Sequence, residues 1–523
     1  MRARGFLRLH MLAAAVLIMT VSLGSRAAAD EADLVYYRNL VEDSAFPEND
    51  ETRRLLSEAI KAPAYPAVET PFKINRQLSD GRLVQFEVRK TVRHWYLIFR
   101  NQRGSEPREN YPIWGRGSWV IKKDLLTGSF VQAKIFLQDD ENSFVRLFPT
   151  DDGRSRLDVY LYGRQLGDDV IIPVSFEELV LAPFAGIAAL TGHSVDWEML
   201  FPDADSYGYR NVKSMVASLV RYDDSIVEVS DAAVNGAGLN VFIESGQPVR
   251  PGEHTQDGGP LEKGETGMNC SGYVKWIADG VYSAWSGLPG SRYLNIDELR
   301  QPTSRVNRNP WSESRSASGR GARDELESLL RDPRFGLDWN RNLARIVEEA
   351  RLGKSLSTDE VKSLDTGELA GIPYWIDLGY NLDDLPSALY QLASERPGAV
   401  YLAAVNSRFQ PEPTPGDPDP LPLHQYWHVS VLAPWFESGE GQEERGRFRV
   451  AVLDVGDVSD SLLQVPGFAD IPAYPARIKA NATHYAKLGR DDSGEILVPE
   501  VMVQLVRVDV PSDFTPNPLP EAH

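Results

Sequence analysis

The sequence holds a single cysteine in 523 residues. That excludes an intramolecular disulfide framework and any zinc site built on thiolates. Positive charge is also in short supply. Lys and Arg total 55 against 75 Asp and Glu, a net charge of -20, so the chain carries no basic footprint for nucleic acid. Outside residues 11–23, no apolar run approaches the roughly 20 residues that a spanning helix needs. No internal repeat is found. What remains is 42% hydrophobic, 25% charged and 10% aromatic, the mixture of folded globular protein rather than of a disordered or collagen-like chain. At roughly 100–200 residues per domain, the length implies two to four domains.

The chain begins like an address. Arg2, Arg4 and Arg8 precede an apolar run from Met11 to Leu23, and Ala27-Ala28-Ala29 then lead into Asp30-Glu31. This is the layout of a secretory signal peptide over residues 1–29. The expectation is an exported protein, periplasmic or secreted, with no stable membrane span. In an oxidising compartment an unpaired thiol is a liability unless it is buried or used.

Residues 31–61 read as a helical lead-in interrupted by Pro47. From 71 to 174 the period changes to two. Val131, Ala133, Ile135 and Leu137 alternate with other residues, as do Leu157, Val159 and Leu161, and turns are signalled at Ser79-Asp80-Gly81, Leu126-Thr127-Gly128 and Asp151-Asp152-Gly153. The pattern predicts an antiparallel meander, a small barrel or sandwich, as an N-terminal β-rich domain over 30–180. Its aromatic residues Trp95, Tyr96, Trp119, Phe130, Tyr160 and Tyr162 suit either core packing or a ligand groove, and core packing is the plainer reading. A helical and loop connection over 181–250 includes a helix near 212–220. Residues 300–323 are rich in Arg, Ser, Asn and Gly, the composition of an exposed loop or flap.

Cys270 follows glycines and Asn269, and a helix pattern follows it: Val274, Ile277, Ala278 and Val281 recur at i, i+3, i+4 and i+7. The thiol therefore falls in the first turn of a buried helix, where unpaired backbone N–H groups and the positive dipole end favour a thiolate. A small buried hydrophobe is the other use of a free cysteine. A nucleophilic thiol needs a base. The eight histidines include His94, His193, His254, His424, His428 and His484 as internal candidates. His428 is distinguished because it opens an apolar strand, His428-Val429-Ser430-Val431-Leu432. If 428–436 and 448–453 form a hairpin, Asp454 falls beside His428 and can orient the imidazole as the third member of a triad; a generic strand-end carboxylate is the alternative. The i, i+4 spacing of His424 and His428 suits metal only on a helix, and Pro420 and Pro422 argue against a helix there. No metal and no cofactor is expected.

The run Asn269-Cys270-Ser271-Gly272-Tyr273-Val274-Lys275-Trp276-Ile277-Ala278 resembles the nucleophile motif of the NlpC-type cell-wall cysteine peptidases, which have a papain-like fold. That family carries Asp at the position of Asn269. A Pro-Gly turn entering a strand is matched by Pro397-Gly398, and a strand with His-Val by His428-Val429. In the family the histidine lies much nearer the cysteine than the 158 positions found here, which implies an insertion over about 290–380. The family's third residue is commonly His, sometimes Asn or Gln, and Asp454 holds that place.

The resemblance implies an α+β protein: a papain-like catalytic domain over 251–510, its cysteine helix packed on an antiparallel sheet, behind the N-terminal antiparallel β domain. It implies an exported cysteine hydrolase, a peptidoglycan endopeptidase with Cys270 as nucleophile, His428 as base and Asp454 as orienting group, acting on cell-wall peptide. An amidase or acyltransferase of the same fold, or a non-catalytic envelope binding protein with a buried cysteine, are the competing functions.

Overall fold

Two structural units divide the chain between Ala204 and Asp205: the first comprises residues up to 204 together with 438–447, the second 205–437 and 448–523. The computed structural model describes residues 31–65, 73–102, 112–255, 259–303, 334–409, 423–438, 445–455, 478 and 501–520. The expected signal peptide at 1–29 lies outside the described residues, as does most of the expected flap, 304–323. The stretch expected as a connection, 181–250, is shared between the two units rather than forming a separate piece. No helix among the described residues is long and apolar enough to cross a membrane.

The first unit opens with helices α1 (Glu31–Asp43), α2 (Asp50–Leu55) and α3 (Ser57–Lys61). Strands β1 (Lys73–Arg76), β2 (Leu83–Lys90), β3 (His94–Asn101), β4 (Trp119–Asp124), β5 (Phe130–Phe136), β6 (Phe144–Pro149), β7 (Ser155–Leu161) and β8 (Arg164–Ile172) follow, and the short helices α4 (Phe176–Leu179), α5 (Phe184–Thr191) and α6 (Trp197–Leu200) close it. All eight strands form one antiparallel sheet in sequence order. The meander is as the period predicts, but among the described residues it is a single sheet with β1 and β8 at its edges, not a two-sheet sandwich.

Helices take the place of a second sheet. One face of the sheet is apolar and fully buried, with Leu97, Phe99, Ile121, Ile135, Leu147 and Val159 all at 0% exposure. On that side Phe130 packs on Phe176 of α4, and Arg53 of α2 lies 3.6 Å over the ring of Trp119. Arg53 spends its donors on Asn49 and on the carbonyls of Val180 and Ala182. Lys123 is likewise buried and donates to the carbonyls of Ile60 and Ala62. Buried cations on backbone carbonyls tie the helices to the sheet without leaving a charge unsolvated.

The second unit contains α7 (Tyr207–Leu219), β9 (Ile226–Glu228), β10 (Ala233–Val234), β11 (Asn240–Val241), β12 (Thr266–Met268), α8 (Cys270–Trp285), α9 (Ile296–Leu299), α10 (Phe335–Leu352), α11 (Thr358–Lys362), β13 (Tyr380–Asn381), α12 (Leu385–Glu395), β14 (Ala399–Phe409), β15 (Leu423–Phe436), β16 (Phe448–Leu453) and β17 (Val501–Asp509). Its five-stranded antiparallel sheet runs β13-β17-β14-β15-β16. The molecule is thus α+β. Val274, Ile277 and Val281 of α8 and Leu337, Leu343 and Val347 of α10 share one apolar core with Leu402, Val429, Val431 and Val506 of the sheet. Strand β17 lies beside β14 at the centre of the sheet although some 90 residues separate them in sequence, a pairing that local periodicity cannot reveal.

Candidate active site

Asn269 makes the turn into α8. Its side chain accepts from Gly272 N at 2.8 Å as the N-cap, and Cys270 is the first helical residue. Gly272 has a steric reason to be glycine: any Cβ there would collide with the carbonyl of Ala232. The first turn is also held from outside, since Trp339 of α10 donates its indole N–H to the carbonyl of Ser271 at 3.0 Å. The thiol is therefore carried on a helix start whose direction is fixed by a cap, a close backbone approach and an indole. The N–H of Cys270 is among the helix's first four, which have no intrahelical acceptor.

His428 does not open its strand, contrary to the reading of its local sequence. Strand β15 begins at Leu423, and the prolines at 420 and 422 stop short of it. The pairing with β14 shifts just before the histidine: Val405 faces His428, while Asn406 faces Tyr426. Trp427 is thus the extra residue of a β-bulge, and a bulge re-aims the side chains next to it. From His428 onward the register is regular, so Val429 and Val431 enter the core.

A two-residue segment of chain holds this bulge from the side. Tyr426 donates its hydroxyl to the carbonyl of Asp377, and Asn406 donates its amide to the next carbonyl, Leu378, at 3.0 Å. Both sides of the bulge therefore end on consecutive carbonyls of the turn 375–379, which closes with Gly379 N on Trp375 O at 2.7 Å. Asp377 itself adopts a left-handed φ of 65°, uncommon for a residue other than glycine. Its carboxylate is gripped by Arg334 at 3.2 Å and Arg341 at 2.6 Å. Burial opposes its charge, but the two guanidinium groups hold the Asp377 carboxyl below the ordinary range.

The strand pairing places Asp454 within reach. Val431 faces Leu453 at the end of β16, so Asp454 stands one step on, past the last paired residues and diagonal to His428. Its Oδ2 is 2.8 Å from His428 Nε2. Its other oxygen accepts from Val455 N at 3.0 Å, which fixes the carboxylate. The third group is the thiol: Cys270 is near enough to help raise the imidazole pKa. Burial by itself would lower the imidazole pKa. The charge and hydrogen bond of Asp454, with the contribution of Cys270, overcome it and raise His428 well above its ordinary value. The side chains of His428 and Asp454 are 16% and 10% exposed, enough for contact with a substrate and too little for free solvation.

The three expected residues thus stand together. His254 does not join them; it lies in a loop bridged to Pro260. The side chains of His424 and His484 lie outside the described residues, and the strand conformation of β15 removes the helical spacing that a His424–His428 metal pair would need. Sequence reasoning missed the bulge and the turn that clamps it. It also missed a buried ion pair inside α8, Lys275 Nζ to Asp279 Oδ2 at 2.7 Å, although a Lys and an Asp four apart in an otherwise apolar helix were its visible sign.

The family described as Domain of unknown function (DUF8515) matches residues 42–199. That span falls within the first unit and includes none of Cys270, His428 and Asp454. No curated protein and no solved structure matches the chain significantly.

Proposed function

We propose that this protein is an exported cysteine hydrolase of the NlpC type, with a papain-like second unit, that cleaves peptide bonds of the bacterial cell wall. The observation that carries the reading is the His428–Asp454 hydrogen bond with Cys270 beside the same imidazole, brought together from a helix start and two neighbouring strands. A buried cysteine kept only for its volume has no need of an imidazole beside it, nor that imidazole of a carboxylate. The order of cysteine helix, histidine strand and facing strand supports the family resemblance.

In this mechanism His428 accepts the thiol proton and the Cys270 thiolate attacks the scissile carbonyl carbon. The Cys270 N–H, at the open helix start, donates to the oxyanion. Collapse breaks the C–N bond, and the imidazolium gives its proton to the leaving amine. Water, deprotonated by the same ring, then cleaves the thioester and returns the free thiol. Asp454 holds the tautomer and stabilises the imidazolium throughout.

The test is release of soluble muropeptides from purified peptidoglycan, compared between wild type and Cys270→Ser. The wild type should release new amino termini and Cys270→Ser none, with an unchanged fold by circular dichroism. Release by Cys270→Ser at the wild-type rate would overturn the cysteine mechanism. Transfer of an acyl group to an added amine, in place of hydrolysis, would favour an acyltransferase. If iodoacetamide fails to label Cys270 in the folded protein at any pH, the reading as a binding protein with an inert thiol replaces the enzyme.

A further inference from the structure

The sheet of the first unit has a second face, opposite the one its helices cover. Cross-strand partners in antiparallel pairs project to the same side, as do positions two apart on a strand. Ile98, Val120, Lys134, Arg146 and Asp158 form one continuous row on this face. Tyr96, Lys122 and Gln132 form the row beside it, which ends in Phe148 and Arg156. One cation therefore stands on each of four consecutive strands, β4 to β7: Lys122, Lys134, Arg146 and Arg156. In a chain of net charge -20, this is a local reversal of sign.

We propose that this face binds an acidic polysaccharide, a chain of sugars bearing carboxylates. The inference stands apart from the chemistry of Cys270 and holds whether or not that thiol is a nucleophile.

The cations are held ready by rings. Lys134 lies 3.6 Å over Phe144, and Phe148 lies between Arg146 at 4.8 Å and Arg156 at 4.5 Å. Ring faces orient a cation without neutralising it. The carboxylates on this face are engaged by arginines: Asp158 takes Arg146 at 2.9 Å, Asp169 takes Arg156 at 2.8 Å, and Glu87, opposite Ile98 on β2, takes Arg100 at 2.8 Å and Arg89. Asp124, at the end of β4, is occupied by its own turn, accepting from Leu126 and Thr127. Among the described residues Lys122 and Lys134 make no ion pair within 4.0 Å, although Glu141 acts on Lys134 from further off. Both lysines are half-buried, so a partner's carboxylate would replace little ordered water and meet a low-dielectric floor.

The spacing selects the kind of partner. Adjacent strands are about 4.8 Å apart, close to the length of one sugar ring, so a polyuronate lying across the strands advances by about one sugar per strand. An extended acidic polypeptide presents same-side carboxylates only every two residues, roughly 6.8 Å apart, and falls out of step. Gln132 and the Tyr160 hydroxyl, which already bonds Arg146 at 2.7 Å, supply groups that match sugar hydroxyls.

The test is calorimetric titration of the full-length protein with alginate, a soluble polyuronate, at low salt, with dextran and poly-L-glutamate as parallel arms. Alginate should bind, and raising the salt to physiological strength should weaken binding about tenfold. Lys122→Gln/Lys134→Gln should weaken it about tenfold at unchanged melting temperature, and Lys122→Arg/Lys134→Arg should retain it. If the double Gln variant does not fold, Lys122→Gln alone should weaken binding severalfold. Absence of alginate binding, equal binding of dextran, binding of poly-L-glutamate as tight as alginate, or indifference to the lysine substitutions would each overturn the proposal.

Discussion

His428 and Asp454 reach one another diagonally beyond the end of a strand pair: the last paired residues are Val431 and Leu453, Asp454 follows β16, and His428 Nε2 and Asp454 Oδ2 are 2.8 Å apart. A diagonal contact of this length is open to a ring, which spans the extra distance, and closed to a short side chain. The pair therefore depends on both strand register and the direction of the imidazole. Two separate features set these: the β15–β16 pairing, and the bulge at Trp427 on the other side of β15.

The carboxylate's role gives the first prediction. Asp454→Asn keeps the size and a hydrogen-bond acceptor but removes the charge that stabilises imidazolium. His428 should then titrate lower, visible by NMR of the ring protons. Peptidoglycan hydrolysis should fall about ten- to a hundredfold, as for a lost hydrogen bond to a charged group. His428→Ala should cost more, about 10²–10⁴-fold, because it removes the proton acceptor itself. An unchanged His428 titration in Asp454→Asn would remove Asp454 from the site.

Much of this site was legible in the sequence, and the reason is that its parts are local. The Cys270 helix is announced by a cap and a 3.6-residue period, the His428 strand by an apolar run, and the 428–453 hairpin by two strands flanking a polar loop. The strand starts before His428, where its first residues carry no apolar alternation, and a bulge leaves no period to follow. The clamp was out of reach: Tyr426 and Asp377 are 49 positions apart, and no local pattern links a tyrosine to a distant main-chain carbonyl. The sheet in the first unit was read as a barrel or sandwich because alternation shows that one face is buried, without showing that helices bury it.

The titration of His428 also sets a pH dependence of stability. Its folded pKa lies above the ordinary value near 6.5, so the folded state holds the proton more tightly than the unfolded chain. The stabilisation is fully present below about pH 6.5 and is lost as pH rises through the folded value. Urea unfolding followed from pH 6 upward should show wild type losing stability relative to Asp454→Asn, in which the shift is reduced. Parallel pH profiles for the two proteins would contradict the assignment.

The clamp on the bulge predicts an effect on reactivity out of proportion to stability. Tyr426→Phe leaves the carbonyl of Asp377 without its hydroxyl donor, and Asn406→Ala does the same to Leu378. Each should cost about 1 kcal/mol in urea unfolding. Because the bulge aims His428, the double variant should lower the rate of Cys270 alkylation by iodoacetamide near neutral pH at protein concentrations where it remains folded. Alkylation at the wild-type rate in a folded double variant would mean that the imidazole is aimed by other contacts.

The last prediction concerns the helix that carries the thiol. Lys275 and Asp279 are both fully buried in α8 and pair at 2.7 Å. Asp279 also accepts from Leu294 N at 2.8 Å, so the carboxylate ties the helix to the chain that follows it. Burial pushes the Asp279 carboxyl up to about 6 despite the ammonium beside it, and burial likewise lowers Lys275. Neither charge is comfortable in the core, and each is tolerable because of the other. Removing one should therefore hurt more than removing both. Asp279→Asn strands a buried ammonium and should cost about 3–5 kcal/mol, whereas Lys275→Met/Asp279→Leu replaces the pair with apolar groups of similar volume and should recover most of that loss. The recovery should stop short by about 1–3 kcal/mol, because Leu294 N–H loses its acceptor in the double variant. Urea unfolding of the three proteins decides the matter. A double variant no more stable than Asp279→Asn would show that the two charges do not depend on each other.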